Sequence, residues 1–227
     1  MIAGDDRFPA AAGGLPTRLP IFPLAGALLL PGGNLPLNIF EPRYLQMTRD
    51  AMRGERVIGM IQPNGQGGGG GRPERPEVYP TGCAGRISGF HETDDGRYLI
   101  SLTGLCRFDV VEELSVTTPY RQVVASYERW RGDDLRPAPP APDLRPAVLE
   151  AVGRYFEAHR IVVDWKQIEA APLGGLVTSL AMICPFEVAE KQALLEAGDA
   201  DARTRTLIAL LEMSALTGKA APEGVRH

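Results

Sequence analysis

The sequence predicts an α+β fold in which a β-rich part is followed by a bundle of helices. Residues 19–130 contain short apolar runs of strand length that are separated by proline and glycine. Asp94-Asp95-Gly96 lies between two such runs, and this arrangement is a strong hairpin signal. Beyond a proline-rich stretch at 131–146, apolar residues recur three or four positions apart, which is typical of helices.

The β-rich part is predicted to be a meander that closes as a small barrel, because closure leaves few open strand edges. The predicted strands cover 19–24, 27–32, 56–62, 83–91, 98–102, 107–111 and 120–127. A glycine-rich segment at 64–77 interrupts them and contains five consecutive glycines. Such a segment buries too little side chain to offset its ordering entropy, so we expect a mobile loop. It lacks the GxxxxGK[ST] spacing of a phosphate-binding loop.

The helical part is predicted to contain helices at 148–159, 176–184, 185–198 and 202–216. The predicted organisation, in chain order, is a flexible leader (1–18), the β-barrel part (19–130), a proline-rich extended connector (131–146), the helical part (147–218) and a tail (219–227).

Composition excludes several classes of function. A formal net charge of -4 argues against nucleic-acid binding. No apolar stretch approaches the roughly 20 residues that span a bilayer, and the leader lacks a secretory apolar core, so we expect a cytoplasmic protein. Three scattered cysteines and three distant histidines predict neither disulfides nor a metal site, and we expect no cofactor. Cys83 and His91 lie about 26 Å apart on one extended strand, too far for a Cys-His pair.

The segment Asn38-Ile39-Phe40-Glu41-Pro42-Arg43-Tyr44 admits two interpretations. In the architectural one it converts a strand into a helix over 42–53, with Pro42 in the first turn, where its missing N–H needs no partner. Glu41 favours the positive helix N-terminus, and Arg43 can reach a nearby carboxylate. In the functional interpretation, Glu41, Arg43 and Tyr44 form an acid/base or anion-binding site. The architectural interpretation is favoured, because the sequence identifies no placed partners for catalysis.

The strings LPIFPL, LLLPGGNLPLNIFEPRY and VIGM resemble the start of the N-terminal, substrate-binding domain of Lon proteases. The resemblance continues through TGCAGRISGF, DDGRYLISLTGLCRFDV and PYRQVVASYE, and returns in the helical part as PFEVAEKQALLEAGDADART. It covers about residues 19–216. It implies a PUA-like pseudo-barrel followed by helices, with Phe40, Glu41, Pro42, Arg43 and Tyr44 as a structural signature.

The resemblance implies a non-enzymatic module that binds unfolded or exposed peptide segments, with no catalytic residue. The single Gly-Lys pair, Gly218-Lys219, lacks the flanking residues of a phosphate loop, so we expect neither ATP hydrolysis nor proteolysis. Two alternatives stay open: an RNA- or small-ligand-binding PUA-like protein, and an adaptor for a separate protease or ATPase.

Peptide capture requires exposed apolar surface or an available strand edge. The candidate surface is Leu28–Pro36, with Leu29, Leu30, Pro31, Leu35 and Pro36 as the candidate peptide-binding residues. An equally favoured interpretation is that these leucines close one end of the barrel.

Overall fold

The computed structural model describes residues 14–65, 75–133 and 139–217. The chain divides into two compact units, Met1–Arg136 and Pro137–His227. The first is a β-sheet unit with one helix and the second is helical, so the predicted α+β class is confirmed. Most of the predicted leader and glycine-rich loop, the middle of the connector and the C-terminal tail lie outside the described residues.

The first unit is a barrel closed by one long strand. Its strands are β1 (Arg18–Pro23), β2 (Asn34–Ile39), β3 (Val57–Ile61), β4 (Thr81–Glu92), β5 (Tyr98–Glu113) and β6 (Gln122–Ser126). The strand order is β2-β5-β4-β3-β1-β6, and β6 also pairs with β5. Five strands therefore form a closed ring, and β2 extends the sheet along the first half of β5. The β1–β3 pair is parallel, and the other pairs are antiparallel.

Two of the strand predictions are wrong. Residues 27–32, predicted as a strand, form an irregular buried segment, and the strand begins later, at Asn34. The segments 98–102 and 107–111, predicted as separate strands, belong to the single strand β5. Gly104 lies between the two predicted segments, where a glycine suggests the end of a strand, but β5 continues through it. Glycine is required at this position because the chain at Leu30 passes directly over β5 there. A Cβ atom at position 104 would lie 2.0 Å from the Leu30 carbonyl oxygen.

In the barrel core, one large aromatic side chain packs directly against two glycines. Phe108, which is fully buried, points at Gly59 of β3 and at Gly82 of β4. A Cβ atom would lie 2.9 Å from the Phe108 ring at Gly59 and 2.6 Å at Gly82. Because interiors are packed at crystal-like density, the ring occupies the space that these two glycines leave.

A buried ion pair attaches the segment after β6 to the barrel. The Arg107 side chain donates from Nε and Nη2 to the two carboxylate oxygens of Asp133, at 2.7 and 2.8 Å, and the backbone N–H of Arg107 donates to the same carboxylate at 3.1 Å. The side chains are only 4% and 7% exposed. The Arg107 guanidinium also stacks on the Trp130 ring, 3.9 Å from its centroid. Arg107 is therefore a structural residue.

The helices are α1 (Pro42–Arg53) in the first unit and α2 (Arg145–Ala158), α3 (Trp165–Ala170), α4 (Leu173–Ile183), α5 (Val188–Glu196) and α6 (Ala200–Thr217) in the second. The sequence did not predict α3, which has only six residues, none of them buried. The Asp164 side chain caps its N-terminus by accepting a hydrogen bond from the Lys166 N–H. The connector also differs from its prediction. Pro142–Leu144 is a 3-10 helix, and α2 begins at Arg145, because proline is tolerated in a first helical turn.

We expect Gly104→Ala to lower the free energy of unfolding by about 2 kcal/mol or more, because the added methyl overlaps the Leu30 carbonyl. Urea unfolding followed by circular dichroism measures the change. Gly89→Ala in β4 is the matched control, since its new Cβ would have only ordinary contacts, the nearest 3.4 Å away. Equal stability of the two variants would contradict the close approach of Leu30 to β5.

We expect Asp133→Asn to destabilise the barrel unit by about 3 kcal/mol, because it leaves the buried Arg107 charge without its counter-charge. Glu128→Gln is the control: it removes an exposed ion pair with Arg131 and should cost less than about 1 kcal/mol. Thermal and urea unfolding of both variants test the difference, and a small effect of Asp133→Asn would mean that the ion pair is dispensable.

Candidate functional site

The predicted peptide surface at Leu28–Pro36 is largely inside the barrel unit. Leu28, Leu29 and Leu30 are at most 1% exposed, and Pro31 is also buried. The Gly32 N–H donates to the Gly104 carbonyl at 2.9 Å, which holds the segment against β5. Leu29, Leu30 and Pro31, predicted as peptide-binding residues, are therefore buried packing residues and not an exposed surface. Leu35 is half-buried and Pro36 is exposed.

Strand β2 is an edge strand of the sheet, but a proline interrupts its outer edge. The Gly104 N–H donates to the Gly33 carbonyl at 2.9 Å. Since hydrogen-bonding direction alternates along an antiparallel strand, residues 35, 37 and 39 face β5, and 34, 36 and 38 face outward. Pro36 is the central outward residue and has no N–H to donate. This is a common protection of edge strands, and it disfavours strand addition by a peptide.

The Phe40–Tyr44 segment makes the predicted change from strand to helix. Glu41 is the N-cap residue of α1 in an extended conformation, and Pro42 occupies the first turn. The Glu41 side chain does not cap the helix. It accepts from Arg43 instead, at 2.9 Å from Nε and 2.8 Å from Nη2. Tyr44 is buried against the Phe22 ring, with 4.1 Å between centroids, whereas Phe40 is 59% exposed.

The same segment also lines a cleft in the barrel unit, with a volume of about 460 Å³. Three separate parts of the chain contribute to its wall, and its residues are Glu41, Arg43, Arg75, Val116, Thr118, Pro119, Tyr120 and Arg121. A smaller cavity of about 110 Å³ shares Arg43, Pro119, Tyr120 and Arg121 with it. We call the two together the arginine cleft. Tertiary folding thus joins the Phe40–Tyr44 segment to Pro119–Arg121, which sequence reasoning treated only as the start of a strand.

Glu113, at the end of β5, holds two of the three arginines in place. Arg121 donates to both of its oxygens, at 2.9 and 2.7 Å, and donates from Nη1 to the Pro76 carbonyl at 2.7 Å. Arg75 donates to the same carboxylate at 2.6 Å. The hydrogen bonds from Arg121, followed by those from Arg75, lower the pKa of Glu113 despite partial burial. Glu113 is therefore ionised at neutral pH and accepts from two guanidinium groups.

The phenols of the cleft are protonated at neutral pH. Burial, with smaller contributions from its hydrogen bond to Asp50 and the negative charge there, raises the pKa of Tyr120 to about 12. The Tyr120 hydroxyl donates to Asp50 at 2.9 Å. Burial also raises the pKa of Tyr44, against the opposing charge of Arg43. Tyr44 is thus a neutral packing residue. The charges that the cleft offers to a ligand are those of its arginines.

The described residues form neither a Cys-His pair nor a cluster of metal-ligating side chains. Cys83 and His91 lie on the same strand, with Cys83 buried and His91 exposed. Over residues 14–65, 75–133 and 139–217, no cluster of three histidine, cysteine or acidic side chains could hold a metal ion. Within the same ranges, no helix combines the length and hydropathy needed to cross a bilayer.

The segment Lys191–Glu196, which belongs to the helical string that resembles Lon domains, forms most of α5 and is largely buried. Lys191, Gln192, Leu194 and Leu195 are buried, although two of them are polar. The Lys191 ammonium donates to the Met182 carbonyl near the end of α4, at 3.3 Å. Burial lowers the pKa of Lys191, and the electrostatic interaction with Cys184 offsets only part of this decrease. Lysine here joins two helices through a terminal carbonyl.

A closed β-barrel unit with a charged cleft is followed by a helical unit, which makes this a two-part α+β protein. The family model described as "ATP-dependent protease La (LON) substrate-binding domain" matches residues 18–213. The chain belongs to this family, as its sequence motifs predicted.

Similarity to individual proteins agrees with this assignment. The chain is 27% identical over 199 residues to a Lon protease of Anaeromyxobacter dehalogenans and to Lon protease 2 of Myxococcus xanthus. These matches cover 87% of this chain but only 23% and 24% of the relatives, so the chain spans about a quarter of their length.

Two solved structures have the same fold. A Lon N-terminal domain protein from Xanthomonas campestris superimposes with a TM-score of 0.61 at 23% identity, covering 85% of this chain and 98% of that one. The N-terminal domain of the Mycobacterium avium complex Lon protease gives 0.60 at 14% identity, covering 86% and 97%.

We expect Glu113→Gln to destabilise the protein at neutral pH, and we expect the difference from wild type to shrink in acid. The folded state lowers the pKa of Glu113, so its stabilisation is fully present above the ordinary value of 4.5 and is lost as the pH falls through the folded value. Urea unfolding of both proteins between pH 7 and pH 3 measures this. A difference that does not change with pH would mean that the charge of Glu113 is unimportant.

Proposed function

We propose that the protein is a non-catalytic module that binds exposed segments of unfolded polypeptides. Its membership of the LON substrate-binding domain family is the observation that carries the proposal. The proposed contact surface is the arginine cleft together with the exposed ring of Phe40, which immediately precedes Glu41. The surface combines an apolar anchor with charged donors, as peptide-recognition sites commonly do.

The geometry supports binding by side chains more than binding by strand addition. Pro36 removes the central outward N–H donor from the edge of β2, and Leu28, Leu29 and Leu30 are buried. Phe40, by contrast, is exposed where β2 passes into α1. An apolar side chain of a bound segment can remove part of the Phe40 ring from water, which is favourable in proportion to the area buried.

A substrate-binding module contributes to degradation only when an ATPase and a protease act on what it binds. We therefore include a separate protease or ATPase as a second proposed partner, which makes an adaptor role compatible with peptide binding. The RNA-binding alternative is less well supported, since the formal net charge of -4 opposes phosphate binding over most of the surface.

Fluorescence anisotropy with labelled peptides from an unfolded protein tests the proposal. We expect saturable binding that a permanently unfolded protein competes for and its native form does not. Phe40→Ser should weaken the affinity by about fivefold or more, because an exposed aromatic anchor is lost. Val162→Ser, which removes an exposed apolar side chain of the helical unit and not of the proposed surface, is the control. Absence of binding by every peptide would contradict the proposed function. An equal loss of affinity in both variants would contradict the proposed contact surface.

A further inference from the structure

We propose that the arginine cleft selects polypeptide segments that carry a carboxylate, and this inference rests on the proposed peptide-binding function. The chain as a whole has a formal net charge of -4, yet three arginines line this one cleft, with Glu41 as the acidic residue of its wall. Glu113 supplies one further negative charge beside them. Cations therefore exceed anions in the immediate surroundings of the cleft.

Arg18 adds to this positive potential. Its side chain donates to Gln122, a neutral residue, at 2.7 Å, so its charge is not cancelled by that contact. Gln122 donates in turn to Thr118 of the cleft wall at 3.1 Å, which places the Arg18 guanidinium two hydrogen bonds from that wall, and its charge opposes the rise in the pKa of Tyr120. Three guanidinium groups line the cleft and that of Arg18 lies beside it, against the carboxylates of Glu41, Glu113 and Asp50, the last of which accepts from the Tyr120 hydroxyl.

The N-terminus of α1 contributes in the same direction. This helix has 12 residues, and its first turn contains no acidic side chain. The carboxylate that precedes it, Glu41, is held by Arg43 and does not cap the backbone N–H groups. The positive end of the helix dipole therefore lies at the edge of the cleft, where it favours an anionic ligand.

The arginines combine one rigid donor group with two accessible ones. The Arg121 side chain is 14% exposed and is held by Glu113 and Pro76, whereas those of Arg43 and Arg75 are 36% and 59% exposed. Arg75 uses Nε and Nη2 for Glu113, and a guanidinium has further donors. Accessible planar guanidinium groups suit a carboxylate, which they can bind through two parallel hydrogen bonds.

The size and walls of the cleft suit a side chain or a chain terminus. Its volume of about 460 Å³ lies within the range of roughly 300–1,000 Å³ found for small-ligand sites. Val116, Pro119 and the Tyr120 ring form apolar wall, which lowers the local dielectric and strengthens attraction to a carboxylate. The same charges repel lysine- and arginine-rich segments, so the cleft also discriminates against basic ones.

Three labelled peptides of the same apolar sequence test this inference on the full chain. One has a central glutamate and an amidated C-terminus, one has glutamine in its place and the same amide, and one has glutamine and a free C-terminal carboxylate. We expect at least one carboxylate peptide to bind about tenfold more tightly than the neutral one, the gain typical of a charge-assisted hydrogen bond. The comparison of the two acids identifies a side-chain or a terminal carboxylate as the ligand.

The variant Arg43→Gln/Arg75→Gln should lose the preference, so that acidic and neutral peptides bind with the same affinity. Arg97→Gln is the matched control, because Arg97 is a half-exposed arginine that pairs with Asp95 in the β4–β5 turn and does not line the cleft. Raising the salt concentration should weaken only the acidic peptides.

Equal binding of all three peptides to the wild-type protein would overturn this inference and leave the proposed function intact. Binding of none of them would overturn both. A preference that persists in the double variant would show that the carboxylate binds elsewhere.

Discussion

The hydrogen bonding of β5 to three other strands is the constraint on which the barrel unit depends. The first half of β5 pairs with β2, its residues 98–109 pair with β4, and its last residues pair with β6, which closes the sheet. The chain at Leu30 passes over the middle of β5, and only glycine at position 104 leaves room for it. The far end of the same strand carries Glu113 into the arginine cleft. One strand thus links the core packing to the geometry of the candidate site.

Arginines have two different roles in this unit, and burial separates them. Arg107 is enclosed, paired with Asp133 and stacked on Trp130, so removing its partner would leave a charge without compensation. Arg43 and Arg75 are accessible to solvent while being positioned by carboxylates. Arginine suits both roles, because its planar guanidinium can bind one carboxylate and still present an edge or a face to another group.

Conserving the architecture of a Lon substrate-binding domain does not require an open apolar groove. In this chain the most apolar segment of the candidate surface, Leu28–Leu30, is buried in the barrel unit. What is accessible near it is a charged cleft beside Phe40. A cleft of this kind can contribute selectivity through charge, while apolar contacts supply affinity.

The sequence by itself determined the α+β class, the helix at 42–53 and the family, because these depend on local periodicity, turn residues and short motifs. It did not reveal the mid-strand position of Gly104, the burial of Leu28–Leu30 or the short helix α3, because a long-range contact, packing and a local cap decide them. Tertiary structure alone brought Arg43, Arg75 and Arg121 together. They are 32 and 46 positions apart along the chain, and only barrel closure places their side chains around one cleft.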